Sequence, residues 1–236
     1  MGQRFIKRVF LRGEHLMNNL LIVGAGTYAV VAYEIAADMR CFDKIAFVDD
    51  ERTTTPNGIS VVGTIRDIAR LSTEYNNVIV AIGNSKARLS LLNQLKDMSF
   101  GIATLISPKA YVSTSANIQS GCIIEPMAVV HTACFIAEGC IISAGAVINH
   151  ASMCCSGVHI DCNATVDGYC LVPLGTKVDS SGIYNKRYES EFESLLFNQQ
   201  QNLEILKQLS VSMPAEIETT KKCLTKKETI RCISTL

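Results

Sequence analysis

The sequence lacks three features that would each indicate a common class of protein. No two of its 10 cysteines have the C-x-x-C spacing of a zinc site, so we expect no bound metal. No apolar run reaches about 18 residues, the length of a membrane-spanning helix, so we expect no membrane span. The formal net charge is zero, from 22 basic and 22 acidic residues, which argues against nucleic-acid binding.

The middle of the chain contains a strict six-residue period. Val or Ile occupies eleven of twelve positions spaced six residues apart, from Val112 to Val178, and Cys154 occupies the twelfth. A second series, four residues later in each hexad, runs from Ala116 to Thr176, and ten of its eleven members are small. Helices repeat near 3.6 residues and exposed strands repeat every two, so this period predicts a parallel β-helix. Three hexads would close one coil of a triangular prism, with residues eighteen apart stacked on each other.

The cysteines are better explained by this repeat than by disulfides. Five of the 10 lie at small or inward positions of the repeat, where a thiol packs as a small apolar group. Free thiols are typical of a reducing compartment, and the N-terminus lacks the apolar segment of a signal peptide, so we expect a cytoplasmic protein. We interpret residues 1–16 as an extension that precedes a second possible start at Met17.

The pattern divides the chain into four segments. Residues 18–107 contain apolar runs that alternate with helical patterns, which predicts a Rossmann-like α/β domain with a parallel sheet. Residues 108–180 form the predicted β-helix, residues 184–210 predict an amphipathic C-terminal α-helix, and residues 211–236 predict a loose tail. In the first domain, a helix is predicted to begin with Ser85 as its N-cap. The predicted strands of that domain are Leu20–Val23, Lys44–Val48, Asn77–Ile82 and Gly101–Ile106.

The first predicted strand leads into the turn Gly24-x-Gly26-x-x-Ala29, which opens a helix. Small residues let phosphate groups approach the backbone N–H groups at a helix N-terminus, which predicts nucleotide binding, with a purely structural turn as the alternative. Asp49, at the end of the second strand, can accept hydrogen bonds from a ribose or a base. For Asp50 and Arg88, contact with the nucleotide and simple exposure to solvent are both open. The half-sized Rossmann unit suits a sugar nucleotide better than NAD.

Two histidines of the prism are candidates for chemistry. His150 and His159 are nine residues apart, which is half a coil, so they point to opposite sides of one prism and meet only across neighbouring prisms. Eighteen-residue stacking places Asp167 in the coil next to His150 and Lys177 next to His159. An imidazole titrates near neutral pH, so His150 is a candidate general base that Asp167 would orient. The alternative is that His150 is an ordinary surface histidine.

Four motifs together resemble bacterial sugar acyltransferases of the NeuD/PglD type. In chain order they are GAGTYA at 24–29, FVDD at 47–50, VAIGN at 80–84 followed by Arg88, and VINHASMCCSGVHI at 147–160. The resemblance covers about residues 18–180. It implies a left-handed β-helix, a homotrimer with acetyl-CoA bound between adjacent prisms, and a sugar nucleotide bound on the first domain.

The resemblance also implies roles for individual residues. His150 matches the general base and His159 matches the histidine that contacts acetyl-CoA, while Lys177 is a candidate partner for the CoA phosphates. The candidate sugar-nucleotide contacts are Gly24, Gly26, Thr27, Tyr28, Asp49, Asp50, Gly83 and Arg88.

Three departures from the family pattern stand beside these matches. Ala151 follows the base where the family usually has an acidic residue, and Asp167 is the candidate substitute. Tyr28 replaces a loop histidine, and the predicted prism ends near Val178, earlier than prisms of the family.

We therefore expect an acetyl-CoA-dependent N-acetyltransferase of a nucleotide-linked amino-sugar, acting in bacterial surface glycan biosynthesis. The acetyl group would transfer directly, without a covalent acyl-enzyme, because the cysteines sit at packing positions. The alternatives are O-acetylation of a sialic acid or related sugar, and a sugar-nucleotide-binding protein without catalytic activity.

Overall fold

The structure is a computed structural model that describes residues 17–98 and 100–187. The interpreted extension at 1–16, the predicted tail at 211–236 and the predicted helix from residue 188 onward lie outside these residues. Within the described ranges, no helix is long and apolar enough to cross a membrane.

A parallel sheet forms the centre of the first domain in the described part of the chain. Its five strands are β1 (Asn19–Val23), β2 (Lys44–Val48), β3 (Val61–Gly63), β4 (Asn77–Val80) and β5 (Gly101–Ile102). Their order across the sheet is β3-β2-β1-β4-β5. The helices are α1 (Thr27–Met39), α2 (Ile68–Leu71), which follows a 3-10 turn at Ile65–Asp67, and α3 (Ser85–Lys96). The middle strand β1 is buried along its whole length, as expected in a parallel sheet covered on both faces.

Two details of the first domain differ from the predictions. The side chain of Asn84, and not Ser85, caps α3 by accepting a hydrogen bond from the N–H of Ala87 at 3.0 Å. The predicted strand Gly101–Ile106 is divided, because β5 stays in the first sheet while Leu105 N–H donates to the carbonyl of Cys122 in the prism. The chain therefore crosses from the first sheet to the prism within one apolar run, so the sequence pattern does not show where the first domain ends.

The prism is built from short strands that stack in register. Among the described residues there are fourteen such strands: β6 (Leu105–Ile106), β7 (Tyr111–Val112), β8 (Asn117–Ile118), β9 (Ile123–Ile124), β10 (Val129–Val130), β11 (Phe135–Ile136), β12 (Ile141–Ile142), β13 (Val147–Ile148), β14 (Met153–Cys154), β15 (His159–Ile160), β16 (Thr165–Val166), β17 (Leu171–Val172), β18 (Lys177–Val178) and β19 (Ile183–Tyr184). They form three parallel sheets in the orders β18-β15-β12-β9-β6, β19-β16-β13-β10-β7 and β17-β14-β11-β8.

The inward residues of the hexads fill the prism as the period predicts. Paired residues are eighteen apart, as in the pairing of Val130 with Ile148. The inward members belong to or pack against one apolar cluster that runs along the prism. The predicted fold class, a Rossmann-like α/β domain followed by a parallel β-helix, is confirmed.

The prism extends further than the sequence predicts. β19 pairs in parallel with β16, so Tyr184 belongs to a coil and does not start the helix predicted from residue 184. Tyr184 stands six residues after Val178, packs against the prism core and donates its hydroxyl to the carbonyl of Leu171 at 2.9 Å. The aromatic side chain interrupts the aliphatic pattern without interrupting the coil. The predicted end of the prism near Val178 is therefore wrong.

One corner of the prism supports α3. Gly121, Gly139 and Gly157 turn there with φ of 73°, 65° and 70°. A Cβ at Gly157 would lie 2.7 Å from Cδ1 of Leu89, and one at Gly139 would lie 2.7 Å from Cδ1 of Leu92. Glycine is required at this corner both for the left-handed turn and for the close approach of the helix. The first domain is therefore held against the prism through α3.

Candidate active site

The glycine-rich turn leaves the N-terminus of α1 open. Gly24 has φ of 109° and donates its N–H to the carbonyl of Val48 at 2.8 Å, and a Cβ there would lie 3.0 Å from the carbonyl oxygen of Ala81. Gly26 is the N-cap of α1, and a Cβ there would have no neighbour within 4 Å. A phosphate group can therefore reach the first N–H groups of a thirteen-residue helix, whose dipole favours an anion.

Two carboxylates brace the loops beside this turn. Asp49 accepts the N–H of Ala25 at 2.7 Å and those of Glu51 and Arg52 at 2.9 Å each. Partial burial raises the pKa of Asp49, but these three N–H donors outweigh it and hold the pKa below its ordinary value. Asp50 accepts the N–H of Ile65 at 2.9 Å. Both carboxylates are thus fixed by the backbone, and their remaining lone pairs are available to ribose or base donors.

Three further predicted contacts lie around the same turn. Thr27 is exposed on the first turn of α1, and a Cβ on Gly83 would meet no atom within 4 Å. The hydroxyl of Tyr28 is buried and has no hydrogen-bond partner among the described residues. Burial, followed by the nearby Glu125 carboxylate, raises the pKa of Tyr28 well above its ordinary value. The Tyr28 hydroxyl is therefore turned towards Glu125 of the prism and not towards solvent.

Arg88 has a different role from the one that its motif suggests. Its side chain is 0% exposed, and every guanidinium N–H has an acceptor within the protein. The acceptors are the carbonyls of Gly139 at 2.7 Å, Ile82 at 2.7 Å, Gly83 at 2.9 Å and Gly157 at 2.8 Å, and the hydroxyl of Ser85 at 3.4 Å. No donor is left for a phosphate, so the predicted nucleotide contact is corrected. Arg88 joins the two domains.

His159 lies in a polar cluster on the prism sheet that contains β15. Its Nε2 is 3.1 Å from Oγ of Ser143, and it stacks against Lys177 as predicted. Lys177 pairs with Asp161 at 2.9 Å and lowers the pKa of Asp161 to about 2. Burial lowers the pKa of His159, which favours the neutral imidazole. The Lys177 ammonium is half-exposed, so a phosphate can approach it from solvent.

His150 lies at a turn beside a different sheet, two residues after the end of β13. The side chain is exposed, and the ring packs edge-on to Tyr169 with centroids 5.1 Å apart. A Cβ on Gly168 would lie 3.0 Å from the ring, so glycine makes room for the imidazole. In the described part of the chain no hydrogen bond joins His150 to Asp167, whose orienting role stays a prediction. Within one chain, His150 and His159 are carried by separate sheets.

Glu125 and Ser143 belong to the site but were not predicted. Glu125 is 7% exposed and Ser143 is 3% exposed, and both directly follow inward isoleucines of the hexad repeat. The sequence did not single out Glu125, because Asp161, Asp167 and Asp179 also directly follow inward positions, and only the structure shows that Glu125 is the buried one among them. Among the described residues no group of His, Cys, Asp or Glu could hold a metal ion.

Comparison with known proteins finds a matching family model for the first domain and similar solved structures of acetyltransferases. Residues 19–95 match the family model described as the PglD N-terminal domain. The acetyltransferase domain of PglB from Neisseria gonorrhoeae, solved in complex with acetyl coenzyme A, is 28% identical with a TM-score of 0.69. The match covers 72% of this chain and 83% of that domain. A search of curated proteins found no match.

A second similar structure extends the comparison at the level of the fold. It is a variant of perosamine N-acetyltransferase from Caulobacter crescentus, solved with CoA and GDP-perosamine. It is 21% identical with a TM-score of 0.64, over 73% of this chain and 90% of that chain. The predicted resemblance to NeuD/PglD-type sugar acyltransferases is confirmed by the family model and the PglB match together.

Proposed function

We propose that the protein is an acetyl-CoA-dependent N-acetyltransferase that acts on an amino-sugar linked to a nucleotide. The observation that carries the proposal is the joint match of both domains, over 72% of the chain, to an acetyltransferase domain that binds acetyl-CoA. The open turn at Gly26 would hold the phosphates of the sugar nucleotide, and Asp49 its ribose or base. His159 and Lys177 would contact acetyl-CoA.

The proposed reaction is direct acetyl transfer. The nitrogen of the sugar amine attacks the thioester carbonyl, His150 takes a proton from that nitrogen, and the C–S bond breaks to release CoA, whose thiolate takes up a proton. An acyl-enzyme on cysteine is disfavoured because burial raises the pKa of Cys134, Cys140 and Cys154 above the ordinary thiol value. Their thiol forms are poor nucleophiles.

A shared site between copies of the chain follows from the positions of the two histidines. The outer face of the sheet that carries His150 presents an apolar row from Tyr111, 58% exposed, to Ile183, 71% exposed. Val129, Val147 and Thr165 lie between them, so the row is apolar at four of its five positions. An exposed apolar row of this kind marks an association surface. We therefore propose a homotrimer in which His150 of one prism faces the acetyl-CoA site of its neighbour.

The cellular setting is part of the same proposal. No disulfide joins the described cysteines, which agrees with a cytoplasmic protein that draws on cytoplasmic acetyl-CoA. The acetylated sugar nucleotide would then supply surface glycan synthesis.

The test is release of free CoA from acetyl-CoA in the presence of a panel of nucleotide-linked amino-sugars. His150→Ala is expected to abolish release, while Arg70→Ala, an exposed residue on α2 of the first domain that pairs with Asp67, is the control that should keep activity. Cys155→Ala is expected to retain activity, because no acyl-enzyme forms.

Each rival function predicts a different result. Acetylation of sialic acid in place of the amino-sugars would establish O-acetylation. Sugar-nucleotide binding without CoA release across the panel would establish a non-catalytic protein. A monomer in solution would contradict the shared site.

A further inference from the structure

The turn that carries His150 is fixed by the coils on both of its sides. The N–H of Ala151 donates to the carbonyl of Thr132 at 2.9 Å, and the carbonyl of His150 accepts the N–H of Tyr169 at 3.1 Å. Thr132 belongs to the coil before His150, and Tyr169 belongs to the coil after it. The backbone of His150 therefore has a defined position. Its side chain is exposed and can occupy several rotamers unless other groups restrict it.

The residues next to His150 in sequence and in the ladder do not supply a carboxylate that restricts the ring. Ala151 follows it directly, with a left-handed backbone at φ of 55°. Across residues 17–98 and 100–187, no hydrogen bond joins the Asp167 carboxylate to His150, and the backbone carbonyl of Asp167 accepts the hydroxyl of Ser152 at 2.7 Å. The orientation of the imidazole therefore depends on how the ring packs.

Two residues of the following coil contact the imidazole. A Cβ on Gly168 would lie 3.0 Å from both Cε1 and Nε2 of His150, so the tip of the ring lies over the glycine backbone. The Tyr169 ring lies beside the imidazole, with centroids 5.1 Å apart and an angle of 89° between the ring planes. Aromatic pairs favour this perpendicular arrangement, because the positive edge of one ring meets the negative face of the other. The imidazole thus contacts a backbone surface and an aromatic ring at once.

The backbone of Tyr169 is a second, independent observation. Its φ of 59° lies in the left-handed region, and among the described non-glycine residues with such a backbone Tyr169 is the one aromatic residue. Glycine occupies other left-handed turns of the prism, such as those at Gly139 and Gly157. A left-handed backbone strains a bulky residue and persists where the surrounding structure fixes it, often at a functional site. The turn does not need a tyrosine, so the side chain points to a role of its own.

We propose that Tyr169 is a positioning residue that, with the space left by Gly168, holds the His150 imidazole in the orientation that removes a proton from the sugar amine. In this arrangement the packing of the ring, and not a carboxylate, orients the base. The role in catalysis rests on the proposed acetyltransferase function, whereas the contact between the two rings does not.

The kinetic test measures CoA release with the sugar nucleotide of the panel that gives the highest rate. Tyr169→Leu is expected to lower kcat about threefold to tenfold, the range that one aromatic pair supports, with KM for both substrates nearly unchanged. Tyr169→Phe keeps the ring and is expected to keep kcat within about twofold of the unaltered protein. Gly168→Ala should lower kcat about tenfold or more, because the backbone of Gly168 is not left-handed and the added methyl group acts only by displacing the imidazole.

Tyr33→Leu is the matched control, because it removes an aromatic pair with Phe47, at a centroid distance of 5.6 Å, from the first domain. Its kcat is expected to equal that of the unaltered protein. A kcat of Tyr169→Leu that matches this control would overturn the proposal, as would a loss that appears only in KM. An equal loss in Tyr169→Phe and Tyr169→Leu would assign the effect to the hydroxyl and overturn the role of the ring.

NMR on protein labelled at histidine and tyrosine separates this inference from the proposed function. The ring protons of His150, assigned with His150→Gln, are expected to show nuclear Overhauser effects to the Tyr169 ring, and these should weaken in Gly168→Ala. The expected spectra with no CoA release across the panel would refute the acetyltransferase proposal, and with it the catalytic role, while the ring contact stands. An active protein without these effects would overturn the positioning role of Tyr169 and leave the acetyltransferase proposal intact.

Discussion

The sharpest prediction concerns Arg88→Met, which removes the link between the two domains while keeping an apolar side chain of similar length. The substitution takes the donors away from four backbone carbonyls, two of them on prism corners at Gly139 and Gly157. Backbone carbonyls cannot be replaced together with the arginine. The change therefore resembles the loss of one partner from a buried polar pair, and not the exchange of both partners for apolar groups.

The expected magnitude follows from the number of acceptors left without a donor. Each buried group without a partner costs about 1–3 kcal/mol, so the two prism carbonyls alone give about 2–6 kcal/mol. Burial lowers the pKa of Arg88, and removing this desolvation cost offsets part of the loss. Breaking one partner of a buried charged pair typically costs about 3–5 kcal/mol, and we expect a loss of that size.

The assay is urea unfolding followed by circular dichroism, with the free energy of unfolding from linear extrapolation. Arg70→Met is the control, because Arg70 is exposed and pairs with Asp67 at 3.6 Å, a contact worth about 0–1 kcal/mol. Arg88→Lys keeps the charge but lacks the planar fork, so it is expected to recover only part of the loss.

Two results would refute this reasoning. A loss in Arg88→Met no larger than that in Arg70→Met would mean that the carbonyls find other partners. Full stability in Arg88→Lys would mean that charge alone, and not the geometry of five donors, joins the domains.

The remaining predictions concern stability at the prism. Gly157→Ala is expected to lower the free energy of unfolding by about 2–5 kcal/mol, because of the left-handed turn and the collision with Leu89. Gly58→Ala, with φ of 84° and no neighbour within 4 Å, should lower it by only about 1–2 kcal/mol. Equal losses of stability in thermal melts of the two variants would contradict the close packing at Gly157. Lys177 lowers the pKa of Asp161 to about 2 in the folded protein, whereas the unfolded pKa is near 4. The ionised Asp161 carboxylate therefore stabilises the folded state fully above about pH 4, and this stabilisation is lost as pH falls toward 2. Urea unfolding at several pH values should show this loss in the unaltered protein and not in Asp161→Asn, and identical pH dependence in both would count against the ion pair.

Local patterns were sufficient to predict most of the fold. The six-residue period decides which residue of each hexad points inward, and because each coil stacks on the previous one, the pairing of Val130 with Ile148 follows from counting alone. The turn Gly24-x-Gly26 likewise predicts an open helix N-terminus, because the backbone there needs residues without bulky side chains. These features depend on residues close in sequence or on a strict repeat.

The tertiary structure decided what depends on contacts between distant segments. Arg88 bonds to carbonyls 51 and 69 residues away, and no local pattern distinguishes that arginine from one that binds phosphate. Tyr184 stays in the prism because Leu171, thirteen residues earlier, accepts its hydroxyl. Glu125 lies near Tyr28 only once the first domain is packed on the prism. The sequence by itself therefore determined the repeat, its register and the glycine-rich turn, whereas the packing of α3 and its neighbours decided which polar residues are buried between the domains and which stay exposed.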